Sequence, residues 1–238
     1  MRIFAGPNGS GKTTIINDLK NKINFGVYIN ADDIEKRLLE GRPIMFNDFK
    51  LQLKTKFVQA FFKSSKLSPI KHNNEAFWKN ISIYENQLII NPSVQIDSYL
   101  AADIAELIRQ QLIIANLPFT YETVMSHPTK IDFLMKAKKL GYRIYLYFIA
   151  TEDPSININR VKVRIAQHGH PVDPEVVEKR YYKSLQNLKE AVKQTNRAYI
   201  FDNSGTASLL IAEVTNGIDV TVIDPENAPN WFVKYLVE

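Results

Sequence analysis

"AGPNGSGKTT", residues 5–14, follows a short apolar run, "MRIF", and its reading decides the fold. The stretch fits G-x-x-x-x-G-K-[ST] through Gly6, Gly11, Lys12 and Thr13. Glycines admit turns closed to other residues and let backbone N–H groups come up to a polyphosphate. A lysine at the position of Lys12 reaches β- and γ-phosphate oxygens, and a hydroxyl at Thr13 ligates Mg²⁺. "MRIFAG" reads as a buried strand and "KTTIINDLKNKI" as a helix, which sets the phosphates on a helix N-terminus. The rival reading is a tight strand-to-helix turn with an exposed lysine. The strand–loop–helix setting favours a nucleotide-phosphate site made of Gly6, Pro7, Asn8, Gly9, Ser10, Gly11, Lys12, Thr13 and Thr14.

Working outward, strands alternate with helices. Residues 27–29 read as a second strand, and Asp32 or Asp33 as the cap of a short helix ending at Gly41. "FNDFKLQLKTKFVQAFF" has helical apolar spacing and "SSKLSPIKHNN" reads as a loop, while "EAFWKNISIYENQLII" fits helix or strand. "DSYLAADIAELIRQQLIIAN" is an amphipathic helix leading into the strand "LPFTYET". "PTKIDFLMKAKKLG" is a helix closed by Gly141, and "YRIYLYFIAT" a buried strand whose aromatics pack in the core and at its edge, with a stacking platform for bases as the alternative. Two helices, beginning at "DPSI" and "DPEV", each open on Asp-Pro. "RAYIFDNSG" is a further strand, "DVTVID" an edge strand and "NWFVKYLVE" a closing helix. This is the α/β pattern of a mostly parallel sheet flanked by helices, a single domain over 1–238 with an insertion at 42–95.

Composition narrows the class. The 238 residues provide for one substantial core, or one core with a large insertion. A 45% apolar and 23% charged content is that of a soluble globular protein. The absence of cysteine excludes a disulfide framework and thiolate chemistry, and suits the cytosol. No secretory signal and no membrane-length apolar run are present, so the expectation is a cytoplasmic protein without a membrane partner. The net charge of +5 suits an anionic small ligand and does not demand nucleic acid.

Ligands of such sheets bind beyond the carboxyl ends of the strands, so the polar residues there carry the chemistry. Asp32 in "INADD" either caps a helix or takes a proton from a hydroxyl attacking the γ-phosphate. Glu122, with Thr123 beside it, either contacts a substrate hydroxyl or Mg²⁺-bound water, or forms a solvated strand end. Arg160 and Arg164, four residues apart, share a helix face that either neutralises a transferring phosphoryl group or is solvated. Arg180 is a further candidate. Asp202-Asn203-Ser204 reads as an Asx turn or N-cap, with a nucleobase contact as the alternative. His168 and His170 lack the neighbours of a zinc site, leaving Thr13 as the metal-ligating residue.

These segments, "AGPNGSGKTT", "INADDI", "YETVMS", "NRVKVRIAQHGHPVDPEVVEKRYYKSLQNL" and "FDNSG", resemble the zeta toxin family of P-loop kinases in type and order. The resemblance covers residues 1–41 and about 117–238. It implies ATP/Mg²⁺-dependent phosphorylation of a small molecule, UDP-N-acetylglucosamine in the best-known members, and a small helical antitoxin as partner. It also implies Lys12 and Thr13 on the phosphates, Asp32 as base, Glu122 on the substrate, and Arg160 and Arg164 in an arginine-bearing lid. The second lid arginine has no clean counterpart; His170, Pro171 and Arg180 stand nearest. The reading is therefore a small-molecule kinase. Its rivals are a polynucleotide or nucleoside kinase, and a nucleotide-binding switch with little turnover.

Overall fold

The structure, a computed structural model, describes residues 1–66, 76–167 and 172–238. The chain makes two compact units, one from Met1–Phe25 and Thr120–Glu238, the other from Gly26–Phe119. The segment 42–95 expected as an insertion lies within the second. In chain order the first unit opens with β1 (Arg2–Ala5) and α1 (Lys12–Leu19). The second holds β2 (Val27–Ile29), α2 (Ala31–Leu39), β3 (Ile44–Met45), α3 (Thr55–Ser64), β4 (Ile81–Tyr84), β5 (Gln87–Ile90) and α4 (Ser98–Ile114). The chain returns through β6 (Phe119–Thr123), α5 (Thr129–Lys139), β7 (Tyr145–Ala150), α6 (Pro154–Ala166), α7 (Pro174–Gln186) and α8 (Leu188–Lys193). It ends with β8 (Arg197–Asp202), β9 (Leu209–Thr215), β10 (Asp219–Val222) and a helical turn at Asn230–Phe232 that widens into a π-helical turn at Val233–Val237.

Within the first unit the strands run in the order β10-β9-β8-β7-β1-β6. β6, β1, β7 and β8 are parallel; β9 and β10 add on antiparallel, with β10 at the edge. The mostly parallel sheet flanked by helices is the expected one. Parallel strands are covered on both faces and so read as unbroken apolar runs, as Ile3, Phe4 and Ala5 do, all fully buried. One side of the sheet carries a file of stacked rings, Phe25 on Phe4, Phe4 on Tyr147 and Tyr147 on Tyr199, with centroids 5.5, 4.6 and 5.2 Å apart. Tyr147 and Phe148 of "YRIYLYF" are thus packing residues. Both Asp-Pro helices start as expected: Asp153 accepts from the Ser155 amide and Asp173 from the Glu175 amide, each with proline in the first turn.

The second unit packs α2 against α4 and α3 against the three-stranded antiparallel sheet β3-β5-β4. Four sequence expectations change here and at the chain's end. The cap of α2 is Asn30, whose Oδ1 accepts the Asp32 amide at 2.9 Å, so neither Asp32 nor Asp33 caps it, and the helix ends at Leu39. "FNDFKLQLKTKFVQAFF" is not one helix: a 3₁₀ turn at Phe46–Phe49 ends on Lys50 in the left-handed region (φ 59°), and helix resumes only at Thr55. The ambiguous "EAFWKNISIYENQLII" is a 3₁₀ turn and a hairpin. Glu85 and Asn86, at φ 47° and 60°, make the two-residue reversal between β4 and β5, the geometry that matches strand twist. The loop read at "SSKLSPIKHNN" lies mostly outside the described residues. β9, unforeseen, pairs with β8, and the closing helix is one turn before the π-helical turn.

That last turn seats Trp231, 3% exposed, against Phe148, and its Nε1 donates to Asp202 Oδ2 at 2.8 Å. Trp231→Phe keeps an aromatic ring and removes the donor from a buried carboxylate. Urea unfolding should show a loss of about 1–3 kcal/mol; an unchanged midpoint would mean the bond contributes nothing.

Candidate nucleotide-binding site

The loop between β1 and α1 is held by close approach. Gly6 and Gly11 have φ of 139° and 94°, and a Cβ on them would lie 1.9 Å from the Ile149 carbonyl oxygen and 2.0 Å from Asn203 Nδ2. No larger residue fits either place. The loop's outward carbonyls are satisfied by side chains from elsewhere in the unit: Asn157 Nδ2 donates to the Asn8 carbonyl at 2.7 Å, and Asn203 Nδ2 to the Ser10 carbonyl at 2.8 Å. Asn157 is itself fixed by the Thr151 hydroxyl. No side chain caps α1, and the amides of Gly9, Gly11 and Thr13 have no acceptor among the described residues. Asn8 Oδ1 and Ser10 Oγ are buried without a hydrogen-bond partner among the described residues. Carbonyls tied down and amides left open suit an anion. Lys12 Nζ folds back onto the Gly6 and Pro7 carbonyls, each at 2.9 Å, while Thr13 and Thr14 are exposed.

The sheet register brings Glu122 opposite Phe4 and Thr123 opposite Ala5, so both stand at the strand end where the loop departs. Thr123 Oγ1 accepts the Met125 amide at 3.2 Å. The turn that follows is clamped by α7 and the residue just past its end: Ser184 Oγ donates to the Val124 carbonyl at 2.6 Å and Asn187 Nδ2 to the Met125 carbonyl at 2.8 Å. Arg180 lies one helical turn before Ser184, half-buried, with no hydrogen bond or ion pair among the described residues.

β7 delivers α6. Tyr181 donates its hydroxyl to the Thr151 carbonyl at 2.6 Å, and burial pushes that phenol far above its ordinary pKa, so it stays a donor. Arg160 donates from Nη1 to the Asn203 carbonyl at 2.8 Å and from Nη2 to the Gly205 carbonyl at 3.3 Å. Arg164, one turn on, is half-buried. His168, His170 and Pro171 lie outside the described residues.

After β8 the chain turns through Asp202-Asn203-Ser204. The Asp202 carboxylate accepts the Ser204 amide, the Ser204 hydroxyl and the Trp231 indole, so the Asx turn is present. Asn203, besides holding Ser10, accepts from Ser208 Oγ at 2.7 Å. Between this turn and α1 opens a cavity of about 630 Å³, lined by Thr14, Ile15, Asp18, Phe201 and Ser208, with Arg160 on its wall. Sequence reasoning missed Asn157, Asp18 and Ser208. Asp18 stood one turn after Thr14, on the face next to the loop, and that spacing was its only signal.

Asp32 belongs to the second unit, exposed in the first turn of α2, where a carboxylate complements the helix dipole. Among the described residues there is no cluster of three or more His, Cys, Asp or Glu side chains able to hold a metal, and no helix long and apolar enough to cross a membrane.

No curated protein matches the sequence. Among solved structures, a chain of the AvrRxo1-ORF1:AvrRxo1-ORF2 complex with sulphate ions aligns over 96% of this chain with a TM-score of 0.58 and 14% identity. A chain of the same complex solved with ATP aligns over 96%, with a TM-score of 0.54 and 13% identity. At these identities the likeness is one of fold, and this chain spans 64% and 63% of the length of those two. The profile described as Zeta toxin matches residues 94–215, from just before α4 to the end of β9, just over half of the chain. The chain therefore belongs to the zeta toxin family.

Proposed function

We propose that this chain is an ATP/Mg²⁺-dependent kinase that transfers the γ-phosphoryl group to a hydroxyl of a small molecule, UDP-N-acetylglucosamine or a related nucleotide sugar. In the same reading it is the cytoplasmic toxin of a pair and is held by a small helical antitoxin. The observation that carries the reaction class is the loop 6–14: its Asn8 and Ser10 carbonyls are held from outside, its Gly9, Gly11 and Thr13 amides have no acceptor among the described residues, and it abuts a cavity large enough for a nucleoside. Family membership and the fold shared with a complex solved with ATP support it.

ATP and Mg²⁺ fit what is present. Gly6 and Gly11 keep the loop low enough for a polyphosphate to lie across it, Ser10 Oγ and the loop amides supply donors, and Thr13 offers a hydroxyl ligand to Mg²⁺. Lys12 Nζ exchanges the Gly6 and Pro7 carbonyls for phosphate oxygens, gaining a charged acceptor in place of two neutral ones. Glu122 and Thr123 receive the acceptor at the end of β6, with Arg180 toward its phosphates, and Arg164 offsets the charge of the moving phosphoryl group. The acceptor oxygen bonds to the γ-phosphorus as the bridge to the β-phosphate breaks, and the hydroxyl proton passes to Asp32.

The deciding assay measures phosphate transfer from ATP to UDP-N-acetylglucosamine, with a neutral sugar and a short oligonucleotide in parallel. Transfer to the oligonucleotide alone would make the protein a polynucleotide kinase; tight ATP binding with no transfer to any acceptor would make it a switch.

Lys12→Ala should cut transfer on the order of 10²–10³-fold with little change in the thermal unfolding curve, since the side chain is half-exposed. Unchanged turnover would remove the loop as the ATP site. Asp32→Asn should lower transfer roughly 10²–10⁴-fold and leave ATP affinity near that of the parent. Because Asn30 makes the cap, the helix start is untouched. Asp33→Asn, about 100° round the helix, is the control, and equal losses in the two would withdraw the base assignment.

A further inference from the structure

The resemblance implies a place for Arg160 over the transferring phosphoryl group, but its geometry points elsewhere. Its two donating nitrogens are spent on the Asn203 and Gly205 carbonyls, at 2.8 and 3.3 Å. A guanidinium presents its donors in one plane as a rigid fork, so two carbonyl acceptors fix that plane. The carbonyls belong to the segment that lines the cavity beside α1, and Arg160 itself forms part of the lining. The same segment is held from its other side by Asn203, which bonds Ser10 of the phosphate loop and receives the Ser208 hydroxyl. Arg160 therefore closes a ring of contacts from α6 to the turn after β8, from that turn to the phosphate loop, and round to the cavity.

Resting on the kinase reading, we propose that Arg160 is a positioning residue for the base and ribose of the nucleotide: it sets the 203–208 segment as the wall of the nucleoside cavity and does not serve the phosphates. The cavity's chemistry fits such an occupant. Ile15 and Phe201 offer apolar surface for a flat heterocycle, and Thr14, Asp18 and Ser208 offer polar groups for its edge and for ribose hydroxyls. Charge at the phosphoryl group then falls to Lys12, Arg164 and Arg180.

The two roles separate when the nucleoside is deleted from the ligand. Isothermal titration with ATP, ADP and inorganic tripolyphosphate, each with Mg²⁺, is run on the full chain and on Arg160→Ala and Arg160→Lys. Both variants should weaken ATP and ADP about tenfold, the loss of a charge-assisted hydrogen bond, and hold tripolyphosphate within about twofold. Lysine should fail to rescue because it lacks the fork. If tripolyphosphate weakens as much as ATP in Arg160→Ala and recovers in Arg160→Lys, the residue is a charge on the phosphates and the proposal falls. No change for any ligand overturns it equally. Should Arg160→Ala misfold, Ser208→Ala loosens the same wall from its other side and must give the same split between ATP and tripolyphosphate. A parent chain that binds neither ATP nor tripolyphosphate removes the kinase reading along with this one; binding of both with the wrong pattern of loss removes this one alone.

Discussion

The first unit is organised by a demand on its backbone: the loop after β1 must have its carbonyls satisfied while its amides stay uncovered. Buried peptide groups left without partners cost about as much as a lost hydrogen bond, so a loop with open amides must have its carbonyls supported from elsewhere. Support comes from two asparagines on different elements, Asn157 on α6 and Asn203 after β8. An amide side chain suits this because one NH₂ reaches the loop while its oxygen accepts from a third group, the Thr151 or Ser208 hydroxyl. The parallel order of β6, β1, β7 and β8 makes the arrangement available, since it gathers all four carboxyl ends on one edge of the sheet.

The same logic gives the neighbouring turns their form. Asp202 accepts three donors, and one comes from Trp231 near the end of the chain, so the wall of the cavity is braced by packing behind it. On the far side of β1, Ser184 of α7 and Asn187 just past its end fix the carbonyls after Thr123. α7 is also tied near its middle to Thr151 through Tyr181, one turn before Ser184 reaches the β6 turn. Asn157, Asn203, Ser184 and Asn187 are all spent on holding main-chain carbonyls in place.

Much of this was legible in the sequence. Glycines at 6 and 11 with Lys12 announced the loop, and apolar runs at 2–5, 145–150 and 197–202 announced the parallel strands. Asp-Pro pairs marked two helix starts correctly because both the cap and the proline preference act within one turn. Errors came where the deciding contact was distant. Asn30 and Asp32 are both good capping residues, and which one caps depends on where β2 ends. The left-handed Lys50 breaks an otherwise helical apolar spacing, and its neighbour Asn86 is held by Asn47, Leu51 and Leu53, contacts that no local pattern reveals. Asn157 was invisible for the same reason, since an asparagine in a helix reads as solvated until its partner is known; Asn203 stood in the turn that the sequence did mark, but its bond to the Ser10 carbonyl was not legible there.

The connectivity of the sheet has a kinetic side. β1 is the first strand in the chain yet lies inside the sheet, with Arg2 pairing with Thr120 on one flank and Tyr145 on the other. Loop-closure entropy must be met before such pairings return any stabilisation, which slows folding in proportion to the share of distant contacts. A whole compact unit, Gly26–Phe119, intervenes before the first of these partners. The loop between β1 and α1 thus acquires its shape only after Asn157 and Asn203, both much later in the chain, have been made. The loop's geometry is therefore gained late, when the segment that carries Asn157 and Asn203 closes on β1.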